Sequence, residues 1–243
     1  MIKVIQPPNK IRTAYEDFLG SFQIAVEEAA GEVFVPDRPV GSSFTDSGRS
    51  TVEFKRCLYL RGLPSRRLSR SKRLDVIVMG LEELEKGTGT TKDLWTLRKS
   101  TVRLNYIVVS NATGRLAQSL HFDFDHAGQV DHPFFHVQLT DEQIPVHEYP
   151  TKDLDFEWQL PTERNECCVT TRIPTSDMTL TSVLYCLAAD HLSGDIFKQF
   201  ALKVGSIQER LPPLRFEALK NSIEKASFHF RSSHWFAHKD EGT

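Results

Sequence analysis

From residue 99 to residue 139, apolar side chains recur at every second position, and a chain with that period has few options besides antiparallel sheet. In KSTVRLNYIVVS, Val102, Leu104, Tyr106 and Val108 share one phase. NATG reads as a turn, and RLAQSLHFDFD resumes the alternation with Leu116, Leu120, Phe122 and Phe124. After HAGQV, the segment HPFFHVQL returns with Phe135, Val137 and Leu139 on the same side. Period two sends alternate side chains to opposite faces, so three such segments joined by short turns predict a meander with one apolar face.

The flanking segments differ in period. Residues 10 to 30 place Ile11, Tyr15, Phe18, Leu19, Phe22, Ala25, Val26 and Ala29 at three- and four-residue steps, which predicts an amphipathic helix. Asn9 is its expected cap and Gly31 its expected end. Residues 32 to 50 read as a loop with a short strand at Val33–Val35, and residues 52 to 63 give no clear signal. LDVIVMGLEELEKG, from residue 74, begins like a strand and ends like a helix. CCVTTRI, at 167 to 173, reads as a further strand. A helix capped by Ser176 or Asp177 and ended by Gly194 follows, then helices over 195–210 and 215–227. Helix, then strands, then helices gives the α+β class: an antiparallel sheet flanked by an N-terminal helix and a C-terminal helical segment. A single domain over 1–243 is expected, with the sheet core about 50–175 and the helical part about 176–230.

The polar phase of the meander is where chemistry can sit. Four of the nine histidines fall between residues 121 and 136. A tight turn pairing Asp125 with His132 sets His121 opposite His136, with Asp123 beside His121 on the same face. Two His and a carboxylate are a recurrent donor set for zinc or iron(II) with open positions, manganese being the third candidate. The expected ligands are His121, Asp123 and His136, with His132 or Asp125 as a further one. A bound divalent metal would lower the pKa of its water and polarise a phosphoryl oxygen. A metal-free alternative uses His121 and His136 as an acid–base pair with Arg115 on the phosphate, but the aspartates would repel that phosphate unless a cation intervened. The plain alternative is a solvated polar face.

A second local feature is KRCLYLRGLPSRRLSRSKR, residues 55 to 73, with eight Lys or Arg and no acid. The chain as a whole has a net charge of −2, so any polyanion must be met by a local patch. Lys55, Arg56, Arg61, Arg66, Arg67, Arg70, Lys72 and Arg73 are the candidates for tracking a phosphate backbone, with Tyr59 as a stacking surface. A contact with an acidic protein partner, or a homo-oligomer contact, is the alternative use. His191 reads as a capping or packing histidine, and the aromatic tail FHFRSSHWFAH as core or interface.

Several classes find no support. There is no G-x-x-x-x-G-K-[ST], no G-x-S-x-G and no G-x-G-x-x-G after a strand. The four cysteines form no C-x-x-C, which fits a reducing compartment. The opening MIKVIQPPNK has no signal-peptide apolar region, and no apolar run approaches the roughly 20 residues of a membrane span, so a cytoplasmic location with no membrane partner is expected. The order of strand, turn, HP and a His-bearing return strand is similar to small bacterial proteins of toxin–antitoxin and defence type. That resemblance spans the hairpin alone, implies prokaryotic nucleic-acid or defence biology and gives no residue a role. The leading expectation is a nucleic-acid-interacting protein with a metal-dependent, nuclease-like phosphodiesterase site. The competing one is a non-catalytic subunit binding nucleic acid or protein through residues 55–73.

Overall fold

A computed structural model describes residues 8–34, 42–46, 51–65, 68–69, 71–86, 95–125, 135–140, 154–159, 179–208 and 211. Helix α1 (Pro8–Glu28) is followed by strands β1 (Glu32–Phe34), β2 (Ser42–Asp46), β3 (Thr51–Leu63), β4 (Arg73–Lys86), β5 (Trp95–Ser110), β6 (Thr113–Asp125), β7 (Phe135–Thr140) and β8 (Glu157–Gln159). Helices α2 (Leu180–His191) and α3 (Gly194–Gln208) come last. The sheet runs β1-β3-β4-β5-β6-β7, with β2 also on β3, and β8 joining β6 in the one parallel pairing among the described residues. The class is α+β.

The meander forms as its periodicity demands. β5 and β6 meet at a two-residue turn in which Asn111 and Ala112 both adopt positive φ, 49° and 58°, the backbone of a type I′ hairpin. Phe54, Leu58, Leu60, Val76, Val78, Val102, Leu104, Tyr106, Leu120, Phe122 and Phe124 are buried in one cluster with the apolar stripes of α1, α2 and α3. A smaller cluster of Cys57, Tyr59, Ile77, Ile107, Val109 and Phe156 is made by side chains of the alternate phase.

Several expectations need correction. Residues 73–86 are one continuous strand, not strand then helix. The helical look of LEELEK came from acids between leucines, yet Glu82 is fully buried on the core phase. Its carboxylate accepts from the Tyr15 hydroxyl, from Ser100 Oγ at 3.3 Å and from the Leu180 amide at 2.6 Å, joining α1, β5 and the start of α2 to β4. Leu116 is not in phase with Leu120: a bulge at Ala117 pairs Leu116 with Ile107, and Ala117 packs toward the main core instead. Helix α1 is already under way at Asn9, with Pro8 suited to its first turn. Its end is made by Ala30 at φ 62°, with Ala30 and Gly31 amides donating to the Glu27 and Val26 carbonyls at 3.0 Å each. Gly31 is needed for space, since a Cβ there would lie 2.8 Å from Val26 Cγ1. The cap of α2 is Thr179, which accepts from the Ser182 amide at 3.1 Å, and Gly194 opens α3 rather than closing α2. Strand β2, all but one of its residues polar, was hidden by composition and is built by pairing with β3. Val33 does lie in a short strand, although the loop expected over 32–50 is interrupted twice. The strand expected at 167–173, the helix at 215–227 and the aromatic tail lie outside the described residues.

Candidate functional site

The polar phase of β5, β6 and β7 carries the sequence-derived site, with a different register from the one assumed. His121 is paired with Gln138, and Asp123 with His136. The displacement is two residues, an even number, so every side chain keeps its face while its partner changes. Asp123 therefore becomes the centre of the group. His121 precedes it by two on its own strand, and His136 lies directly across.

His121 Nε2 and Asp123 Oδ1 are 3.1 Å apart, with side chains 19% and 16% exposed. Asp123 Oδ1 also accepts from Thr101 Oγ1 at 2.8 Å, which holds the carboxylate in place from β5. Two donors bound to one zinc at its usual bond lengths and a tetrahedral angle lie about 3.3 Å apart, so the His–Asp spacing suits adjacent ligands of a single ion. Among the described residues, no group of three or more His, Cys, Asp or Glu is placed to hold a metal. The side chains of His136 and Asp125, and all of His132, lie outside that set.

Arg115 is not part of the group. The bulge at Ala117 sets it opposite Val108, on the helix-packed phase, whereas His121 pairs with Arg103. Arg103, Thr101 and Asn105 are the residues that the sequence reading passed over. Their signal was present: they are the odd positions of KSTVRLNYIVVS, the polar phase of the same strand whose apolar phase was read.

The basic stretch does not form one surface. Lys55 and Arg56 are neighbours on β3 and so project to opposite faces of the sheet. Lys55 lies 3.4 Å from Glu53, and the Arg56 guanidinium sits over the Phe54 ring at 5.8 Å, its pKa lowered by burial. Arg61 contacts Asp155 at 2.7 Å and Glu32 at 3.0 Å. Arg73 donates to the buried Asp75 through Nε and Nη2, each at 2.9 Å, and to Asp155 through Nη1 at 2.9 Å. Burial pulls the Arg73 pKa down, but those hydrogen bonds overcome it and the net shift is upward. Arg73 in turn holds the Asp155 carboxyl below its ordinary value. Tyr59 is not a stacking platform, because its hydroxyl donates to Asp75 at 2.7 Å beneath Phe156. Lys72 is exposed; Arg66, Arg67 and Arg70 lie outside the described residues.

His191 packs as expected: it is buried, and its Nδ1 is 2.8 Å from the Pro64 carbonyl oxygen, tying α2 to the end of β3. No helix among the described residues is long and apolar enough to cross a membrane. No family model, no curated protein and no solved structure matches this chain. What the protein does must be argued from the chemistry of its side chains.

Proposed function

We propose that the polar face of β5–β7 is a metal-dependent hydrolytic site of the phosphodiesterase class, with nucleic acid as substrate. His121, Asp123 and His136 would hold one divalent ion, zinc, manganese or iron, with Asp125 or His132 completing the shell. A metal-bound water would be the nucleophile. The observation that carries this reading is Asp123 itself: it lies 3.1 Å from His121 Nε2, is paired across the strands with His136, and is steadied by Thr101. A carboxylate with two histidines gives the mixed donor set that such ions favour, and a hydroxyl holding the carboxylate is the usual outer support of a ligand.

The phosphate contacts assigned to residues 55–73 would fall to Lys72, Arg66, Arg67 and Arg70, since Lys55, Arg61 and Arg73 are engaged by carboxylates. That engagement also weakens the competing reading of a non-catalytic module that binds through this stretch. We place the protein in the cytoplasm of a prokaryote, in nucleic-acid or defence biology. Elemental analysis of the purified chain beside a His121→Ala/His136→Ala variant decides the matter. About one ion per chain, lost in the variant together with hydrolysis of a phosphodiester substrate, is the expected result. A metal-free chain, or metal retained by a folded double variant, sinks the proposal.

A further inference from the structure

Several arginines of the sheet sit beside carboxylates, and among the described residues Arg103 does not. Arg61, Arg73 and Arg98 each contact an acid within 3.0 Å. Arg103 is half-buried on the same sheet, yet among the described residues it has no hydrogen-bond or ion-pair partner. It lies between Met79 on β4 and His121 on β6. Two residues further along the same face is Asn105, 1% exposed, with both Oδ1 and Nδ2 buried and without a hydrogen-bond partner. Asn105 is paired with Ile77 on one side and Ser119 on the other.

Either feature alone would be unusual. Buried amides are nearly always satisfied, because each unmade bond leaves the full desolvation cost in place. A half-buried guanidinium normally recruits a carboxylate. Together on adjacent same-face positions, about 6.6 Å apart, they place a cation, a donor and an acceptor on one stretch of sheet. The chemistry that uses all three is a tetrahedral oxyanion carrying a hydroxyl or an ester oxygen. Along the strands Asp123 pairs with Thr101, His121 with Arg103 and Ser119 with Asn105, so the subsite lies away from Asp123, while Asp75, opposite Ile107 at its other end, is neutralised by Arg73. Ile77 and Ile107, both buried, flank Asn105, and an apolar floor strengthens a charged contact above it.

We infer that Arg103 and Asn105 form a subsite for a phosphoryl group beside His121, with Arg103 at the partly exposed mouth and Asn105 one step deeper. The choice of a phosphoryl group rests on the phosphodiesterase reading, and the two can fail separately. The test is calorimetric titration of the full chain with inorganic phosphate and with dimethyl phosphate, as purified and after chelator treatment, so that phosphate bound to a metal is not mistaken for phosphate at the subsite. Arg103→Gln and Asn105→Leu are the variants. Arg103→Gln breaks no ion pair of the described residues and so retains the fold.

Phosphate binding that survives chelation and weakens on the order of tenfold or more in both variants is expected, from the loss of charge-assisted and amide hydrogen bonds. Asn105→Leu should melt at the same temperature as wild type or higher, because it removes an unsatisfied amide. Dimethyl phosphate binding as well identifies a diester subsite, and inorganic phosphate alone identifies a terminal phosphoryl group; both support the inference. Equal phosphate affinity in wild type and variants, or none in wild type, overturns it. Phosphate binding in a metal-free chain would remove the metal site and keep the subsite. Metal lost in the His121/His136 variant with no phosphate response would do the reverse.

Discussion

His191 shows how much one proton can matter in this fold. Its neutral ring fits its surroundings: Nδ1–H donates to the Pro64 carbonyl oxygen at 2.8 Å, and Nε2 is buried with no hydrogen-bond partner. A second proton would go to Nε2, where no acceptor waits. Burial accordingly lowers the His191 pKa below 6.5, against the opposing pull of the Pro64 carbonyl and Asp190. The sign of the pH effect follows. Above the ordinary value neither folded nor unfolded chain is protonated there, and His191 adds no slope. As pH falls through that value, the unfolded chain takes up a proton that the folded chain refuses, so stability drops until the folded pKa is reached. His191→Asn keeps a donor toward Pro64 and cannot titrate. Urea denaturation from neutral pH to about pH 5 should therefore show wild type losing stability faster than the variant. A constant difference between the two across that range would refute the assignment.

Among the elements, β4 is the one whose identity depends most on tertiary structure. Glu82 occupies a core-facing position with three separate donors around it, from α1, β5 and α2. Glu82→Ala would remove the acceptor that the Tyr15 hydroxyl and the first amide of α2 share in the core. It should cost about 3 kcal/mol or more, read as a lower denaturant midpoint at unchanged slope. Glu82→Gln, which keeps an acceptor for the Leu180 amide, should cost less; equal losses would mean that the charge rather than the hydrogen bonding is what counts. The same residue explains what the sequence could and could not reveal. An acid on the apolar phase breaks the period-two pattern, so LEELEK looks helical until its partners are known. The meander was legible because Val102 to Phe124 keep a clean alternation, and the His–Asp face followed from the same phase. Bulges were not legible: Ala117 carries no local mark, yet it moves Leu116 and Arg115 to the faces opposite those assumed. Nor was register. A shift by two residues leaves the hydrophobic pattern untouched while exchanging His136 for Gln138 opposite His121.

At the scale of the molecule, the sheet has a large core under the helices and a small one on the other face, and the two should differ in how readily they open. The smaller cluster is closed by residues 154–159, which pair with only three residues of β6. Phe156 lies so close to Gly114 that any side chain there would collide with its ring. Asp155 fastens the segment through Arg61 and Arg73, in contacts whose side chains are roughly a third exposed and hence screened by salt. Beneath lies Cys57, fully buried, its thiol pKa pushed up to about 12 by burial. A buried thiol of that kind reacts only when its cover moves. Local opening of segments with few contacts commonly precedes global unfolding. In a background with Cys167, Cys168 and Cys186 changed to serine, Cys57 should react with a thiol reagent in water faster than global unfolding allows, and faster again as salt is raised. Asp155→Ala should quicken that reaction roughly three- to tenfold while shifting the urea midpoint little, since a partly exposed ion pair adds modestly to global stability. If Cys57 instead reacts only at the rate of global unfolding, in wild type and variant alike, the two faces form one cooperative unit. The residues 154–159 are then as firmly seated as the helices.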